Sequence, residues 1–237
     1  MTIFVADDIL VETWNQFAEL DEELPRDLRL QQLVWFDNSV WIVEYPLSIP
    51  HEVANSCISQ KFILLEGGIT FGHVAQTGPG PNEQQVTYAP DYSFGPFPTL
   101  PGIQVPEGVR HGWVTLIVEV MYMQQWQTVY PKVAMYRQLP GIQYIFCLKL
   151  SARLNLCSYE LYEVGNNDST FPNPAIRVSF DIRTVQPNHP FVVQFDSRRV
   201  LALPADGELP PGWQDKITLD VVALAHRVRE ADSSFVR

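Results

Sequence analysis

The sequence is short of basic residues and has no long apolar run. It carries 16 Lys and Arg against 27 Asp and Glu, a formal net charge of -11. Proteins that grip duplex DNA through many phosphates are usually basic, so any contact with nucleic acid has to be local. No apolar run reaches the roughly 18 to 20 residues that a transmembrane helix needs, so we predict no membrane partner.

Several common functional motifs are also missing. Cys57, Cys147 and Cys157 show no metal-binding spacing, which predicts free thiols in a reducing compartment. The stretch MTIFVADDILVETW has acids where a secretory signal has Lys or Arg, so we expect an intracellular protein, in the cytoplasm or the nucleus. No Gly-Lys-Ser/Thr follows GPGP at 78–81, and no Ser/His/Asp or Cys/His pattern indicates a nucleophilic enzyme.

The composition is that of a folded chain, since 46% of the 237 residues are hydrophobic and 18% are charged. We predict an N-terminal helical segment over residues 1–30 and a single α/β domain over residues 31–237. In the first segment, apolar residues recur at helical spacing up to Pro25, which ends the helix. These residues are Ile9, Val11, Trp14, Phe17 and Leu20.

Periodicity predicts the main elements of the larger domain. We expect a hairpin around Asp37-Asn38-Ser39, a helix over 51–66, a loop at QTGPGPNE and a central buried strand at WVTLIVEVMY. A strand–helix–strand unit follows over 113–150. Beyond it we predict strands at AIRVSFDI, FVVQFD and RRVLAL, and an amphipathic helix that includes Ile217, Val221, Leu224 and Val228.

Glu119 is a single carboxylate inside the most apolar strand, and a buried unpaired charge costs several kcal/mol. It therefore either pairs with Lys132, Arg110 or Lys149, or binds a ligand. Asp91 heads another β-like run. An Asp at the start of one strand and a Glu at the end of its neighbour can meet above a sheet edge and hold Mg²⁺. Taken alone, Asp91 caps a turn after Pro90, and Lys132 is a solvated helix lysine.

An ordered set of motifs carries a resemblance over roughly residues 33–164. In chain order the motifs are YPLSIPHE, APDYSF, TLIVEV, YPKVAMYRQLPGIQYIFCL and SYELYEV. Together they resemble the PD-(D/E)XK nuclease superfamily, and most closely the Uma-type restriction endonuclease family and its fungal relatives. The resemblance implies a restriction-endonuclease-like mixed β-sheet flanked by helices, here with a strand-rich C-terminal extension.

The same resemblance implies roles for individual residues. Asp91 and Glu119 map onto the two metal carboxylates, for Mg²⁺ or Mn²⁺, and the backbone carbonyl of Val120 also faces the metal. Lys132 maps onto the lysine that positions the attacking water, and Glu52, beside His51, onto an extra carboxylate ligand. The implied activity is hydrolysis of phosphodiester bonds in DNA, which binds at a local site, with a second copy of the chain as a further partner.

The chain departs from the family pattern at three places. Met121 stands at the usual lysine position of E-x-K, Thr128 stands where the helix often has an Asp, and MYMQQW lacks the Ser that follows the strand. Two alternatives therefore stay open. One is a catalytically lapsed member of the fold that acts as a binding module, and the other is an unrelated α/β domain with an accidental PD…E pair.

Overall fold

The computed structural model describes residues 3–19, 33–42, 48–63, 67–71, 74–79, 84–107, 109, 113–165, 173–186, 189 and 191–235. The helices in this part of the chain are α1 (Val11–Glu19), α2 (Ile49–Ile63), α3 (Trp126–Tyr136), α4 (Ser197–Val200) and α5 (Val221–Phe235). None of these described helices is both long enough and apolar enough to cross a bilayer.

The same residues form strands that assemble into several sheets. The strands are β1 (Ile3–Ala6), β2 (Leu33–Phe36), β3 (Ser39–Ile42), β4 (Gly68–Thr70), β5 (Gln76–Pro79), β6 (Gln85–Tyr88), β7 (Tyr92–Pro96), β8 (Leu116–Tyr122), β9 (Tyr144–Leu150), β10 (Leu156–Glu163), β11 (Ile176–Asp181), β12 (Val192–Asp196) and β13 (Lys216–Asp220). The protein is thus of mixed α/β class.

The largest sheet has six strands in the order β11-β10-β9-β8-β7-β4. Its neighbouring strands are antiparallel except β8 and β9, which are parallel. Parallel neighbours need a crossover connection, and α3 supplies it. The predicted strand–helix–strand unit over 113–150 is confirmed, and the predicted central strand, β8, lies inside the sheet.

Two hydrophobic cores lie on opposite faces of this sheet. Successive residues of a strand point to opposite sides, so Val118 and Val120 pack towards α2 and α5. Ile117 and Met121 pack on the other face, with α3, α1 and the small sheet β1-β3-β2. Glu119 lies between Val118 and Val120 in the chain and therefore faces α3.

The N-terminal region packs on this second face. The hairpin predicted around Asp37 is confirmed: β2 pairs with β3, and Asp37 and Asn38 take φ values of 50° and 56° in the turn. Sequence patterns do not predict β1, which pairs with β3. The predicted helix is present as α1, and its Trp14 indole donates a hydrogen bond of 2.8 Å to the carbonyl of Thr87. Leu20 and Pro25, at the predicted end of that helix, lie outside the described residues.

Three local predictions are wrong or need shifting. The predicted strand at RRVLAL is wrong because residues 197–200 form α4, whose first turn is capped by Asp196 accepting from the Arg199 N–H at 3.1 Å. Residues 76–79 of the predicted loop QTGPGPNE form β5, paired with β6. The helix predicted to include Ile217 begins only at Val221, because residues 216–220 alternate in burial and form β13.

The predicted helix over 51–66 is confirmed as α2 and begins two residues earlier, at Ile49. Pro50 suits this first turn because its fixed φ is helical and its missing N–H would have no intrahelical partner there. Residues 64–66 lie outside the described part. This start matters because it places His51 in the first turn of α2, at the end of the sheet where β7 begins.

Candidate functional site

Asp91 lies immediately before β7 and is only 5% exposed. The register of β7 and β8 pairs Tyr92 with Val118, so its continuation sets Asp91 opposite Glu119. Asp91 Oδ2 accepts the backbone N–H of Val120 at 2.7 Å. The carboxylate is therefore anchored to the neighbouring strand, and the alternative in which it caps a turn after Pro90 is wrong.

Glu119 is held by two donors from one helix. Its Oε2 accepts from Lys132 Nζ at 3.0 Å, and its Oε1 accepts from the Tyr136 hydroxyl at 2.8 Å. Lys132 and Tyr136 are four residues apart, so they share one face of α3. Glu119 is 3% exposed, so this network lies away from solvent.

Lys132 is buried as well, at 3% exposure, so the alternative of a solvated helix lysine is wrong. Its ammonium also lies 3.4 Å from the carbonyl oxygen of Ala89, two residues before Asp91. Of the other predicted cations for Glu119, Lys149 lies over the ring of Trp126 instead, 5.9 Å from its centroid. Arg110 lies outside the described residues.

His51 reaches Asp91 from the opposite helix layer. Its Nε2 is 3.2 Å from Asp91 Oδ1, and its side chain is 5% exposed. Its Nδ1 is 3.3 Å from Glu52 Oε1, and Asn55 Nδ2 is 3.3 Å from Nε2. The imidazole ring therefore lies between Asp91 and Glu52, whose side chain is 59% exposed.

Sequence reasoning brings Asp91, Glu119 and Lys132 together correctly, but it does not predict His51 as the partner of Asp91. The usable signal is the helix period, since His51 and Asn55 are four residues apart, as are Lys132 and Tyr136. The tertiary structure decides which strand a helix face packs against. The helical period alone therefore cannot predict which carboxylate each helix face contacts.

The two carboxylates differ in how the site affects their pKa values. The pKa of Glu119 is raised to about 7 by burial and, to a smaller extent, by the charge of Asp91, against the lowering effects of Lys132 and Tyr136. Burial would also raise the pKa of Asp91, but the charge and hydrogen bond of His51, the charge of Lys132 and the Val120 N–H lower it below its ordinary value. The two pKa values thus differ: that of Asp91 is below its ordinary value, and that of Glu119 is close to neutral pH.

A divalent metal would find two carboxylates here. Mg²⁺ is usually bound through one or two carboxylates and keeps several waters, so Asp91 and Glu119 fit the protein's share of such a site in kind. The described residues contain no group of three or more His, Cys, Asp and Glu side chains arranged to hold a metal ion. Any metal would therefore depend on this pair and on backbone, water or substrate oxygens.

A third buried carboxylate lies two strands away from Glu119 on the same face of the sheet. Glu119 is in register with Cys147, and Cys147 with Glu160, which is 1% exposed. Glu160 Oε1 accepts from Arg177 Nε at 2.6 Å, and its Oε2 accepts from the Tyr162 hydroxyl. This ion pair joins β10 to β11 and is structural.

No protein-family model matches the chain, and no curated protein matches it. Membership of the nuclease superfamily therefore depends on the motifs and stays a prediction.

Proposed function

We propose that the chain is a metal-dependent phosphodiesterase with a restriction-endonuclease-like fold, and that it acts on DNA. The observation that carries the proposal is the convergence of three residues from separate elements. Asp91, immediately before β7, and Lys132, on α3, both reach the middle of β8, with bonds of 2.7 Å to Val120 N and 3.0 Å to Glu119 Oε2. The mixed sheet with helices on both faces supports the same assignment.

In this proposal Asp91 and Glu119 hold Mg²⁺ or Mn²⁺. Such an ion supplies a Lewis acid for a phosphoryl oxygen and a bound water of lowered pKa. Lys132 directs its ammonium at the same point, where it orients a water and stabilises negative charge on the phosphate. Tyr136 fixes the orientation of Glu119, while His51 and the Val120 N–H fix that of Asp91.

The ligand set beyond the two carboxylates is part of the proposal. The Val120 carbonyl belongs to the strand segment that already bonds Asp91 through its N–H. Glu52 lies beyond the His51 ring and is exposed, so it takes part only if His51 swings away. The active set is therefore Asp91, Glu119 and Lys132.

A specific observation favours the second candidate, a catalytically lapsed member of the fold that acts as a binding module. Each oxygen of both carboxylates already has a protein donor: His51 and Val120 for Asp91, and Tyr136 and Lys132 for Glu119. A fully satisfied buried network is stable without a metal. Met121, at the usual lysine position, also favours the binding module.

Thermal melting with and without metal separates the two candidates. Wild type, D91N and the matched control D181N are melted in chelator and then in millimolar Mn²⁺. Asp181 lies on β11 and pairs with Arg183, so D181N makes the same chemical change outside the site. The nuclease proposal expects Mn²⁺ to raise the Tm of wild type and D181N but not of D91N, since metal at a hundredfold its Kd adds about 2.7 kcal/mol.

Equal shifts in wild type and D91N would place the ion elsewhere and refute the proposed site. No shift in any variant would support the binding module. Where the expected shifts are seen, cleavage of plasmid DNA in Mn²⁺ is assayed next, and D91N, E119Q and K132M should each abolish it while D181N does not.

A further inference from the structure

A surface cavity of about 400 Å³ lies beside the candidate site, at the start of α3. Its lining includes Lys149, Ser158 and Ser179, together with Gln124 and Gln125, which precede α3. None of its described lining residues is Asp or Glu.

Three neighbouring strands build one wall of the cavity as a row. Lys149 on β9 is in register with Ser158 on β10, and Ser158 is in register with Ser179 on β11. This row lies two residues along the strands from the row formed by Cys147, Glu160 and Arg177, and it is on the same face of the sheet. An ammonium and two hydroxyls therefore line one open strip of the sheet, as donors for an anionic ligand.

Lys149 carries the only lysine charge in this strip, and its ammonium makes no ion pair with a described residue. It lies 5.9 Å from the centroid of the ring of Trp126, the first residue of α3. Partial burial lowers the pKa of Lys149.

The acids on either side of the row are already neutralised. Glu160, one position along the same face, is paired with Arg177, and Asp181, one position the other way, is paired with Arg183. Among the described residues Lys149 therefore has no carboxylate partner, in contrast to these two pairs. At the mouth of the cavity α3 begins at Trp126 without a side-chain cap, and this adds to the attraction for an anion.

We propose that this cavity is a phosphate-binding subsite, in which Lys149, Ser158 and Ser179 hold one phosphate group. Lys149 is in register with Met121, two residues after Glu119, so strand geometry sets its Cα about 8 Å from that of Glu119. One nucleic-acid strand can therefore contact both places. The proposal of a phosphate site depends only on the residues that line the cavity. Its assignment to a backbone phosphodiester of a bound nucleic-acid strand depends on the proposed function.

The first test is lysine labelling of the full chain in chelator, which removes metal-dependent chemistry from the experiment. The chain's lysines are Lys61, Lys132, Lys149 and Lys216, so mass spectrometry resolves each one. Inorganic phosphate, or an octathymidylate without terminal phosphate, should slow acetylation of Lys149 at least threefold relative to chloride at equal ionic strength. The exposed Lys216, on β13, should label at an unchanged rate.

The second test measures binding of the octathymidylate by fluorescence anisotropy at several salt concentrations. K149M should bind about tenfold more weakly, and the slope of log K against log salt should fall by about one. K216M makes the same change at a distant exposed site and should match wild type. The double variant S158A/S179A, which keeps every charge, should weaken binding without changing the slope.

The outcomes separate the two sources of phosphate. Protection by both probes supports a backbone phosphodiester, and protection by inorganic phosphate alone supports a phosphate monoester as the ligand. The proposal is overturned if neither probe protects Lys149, or if K149M binds as tightly as wild type with the same slope. Because chelator is present throughout, a positive result stands even if Mn²⁺ fails to stabilise the protein, and the two proposals fail separately.

Discussion

Lys132 on α3 and Glu119 on β8 form an ion pair in which both side chains are at least 96% buried and the charged atoms are 3.0 Å apart. The strand supplies the acid and the crossover helix supplies the base, so the pair ties the central βαβ unit together. It is also the pair on which the proposed chemistry depends. Its stability and its titration can therefore be tested without knowledge of any substrate.

Replacing Lys132 by Met should destabilise the fold strongly. The substitution leaves Glu119 buried with its charge uncompensated, and breaking one side of a buried pair costs roughly 3 to 5 kcal/mol. The cost should be smaller at pH 5.5 than at pH 8, because Glu119 takes up a proton at the lower pH. Urea unfolding at both pH values measures this, with K216M as control. A loss below 1 kcal/mol at pH 8 would mean that the pair contributes little.

The pH dependence of stability should change when Glu119 is replaced by Gln. The pKa of Glu119 is raised from 4.5 to about 7 in the folded state, so the folded protein binds a proton that the unfolded chain releases in this range. This contribution is fully present below pH 4.5 and is lost as the pH rises through 7. The free energy of unfolding of wild type should therefore fall relative to that of E119Q between pH 5 and pH 8, by at most a few kcal/mol. Parallel curves for the two proteins would contradict the raised pKa.

Gly95 should tolerate no side chain. A Cβ at this position of β7 would overlap the backbone carbonyl oxygen of Trp113, which cannot rotate away. We expect G95A to lose roughly 3 kcal/mol, at the upper end of overpacking costs. A Cβ at Gly165 would meet no atom within 4 Å, so G165A serves as the control and should change stability by less than about 0.5 kcal/mol. Thermal melting compares the two, and equal Tm values would show that β7 and Trp113 are not packed this closely.

The three thiols should differ in reactivity. Cys147 and Cys157 are fully buried, and burial raises the pKa of both thiols, whereas Cys57 is only partly buried. A disulfide reagent at pH 8 should therefore modify Cys57 in the native protein and the other two only after denaturant is added. Fast native modification of Cys147 would contradict its position between Glu119 and Glu160 in the sheet.

Local patterns predict the elements that are defined by strong periodicity. The continuous apolar run around Glu119 predicts a central strand, and the turn residues Asp37 and Asn38 predict the hairpin. Patterns fail where tertiary contacts outweigh local preference. The run RRVLAL has strand-forming residues, but the cap from Asp196 starts a short helix there. The strand β1 is stable only because β3 lies beside it, and no signal near Ile3 predicts that pairing.

For the site, the sequence by itself determined which groups are able to take part in chemistry. These are a lone acid in an apolar strand, an acid at a strand start and a lysine on the following helix. Alternation of side chains along β8 then turns Glu119 towards α3. Only the tertiary structure decided how these charges are balanced, because hydrogen-bond partners come from segments far apart in the chain. In the folded protein Asp91 contacts His51 and the Val120 N–H, and Glu119 contacts Lys132 and Tyr136. Lys149 lines an open cavity whose described residues include no carboxylate.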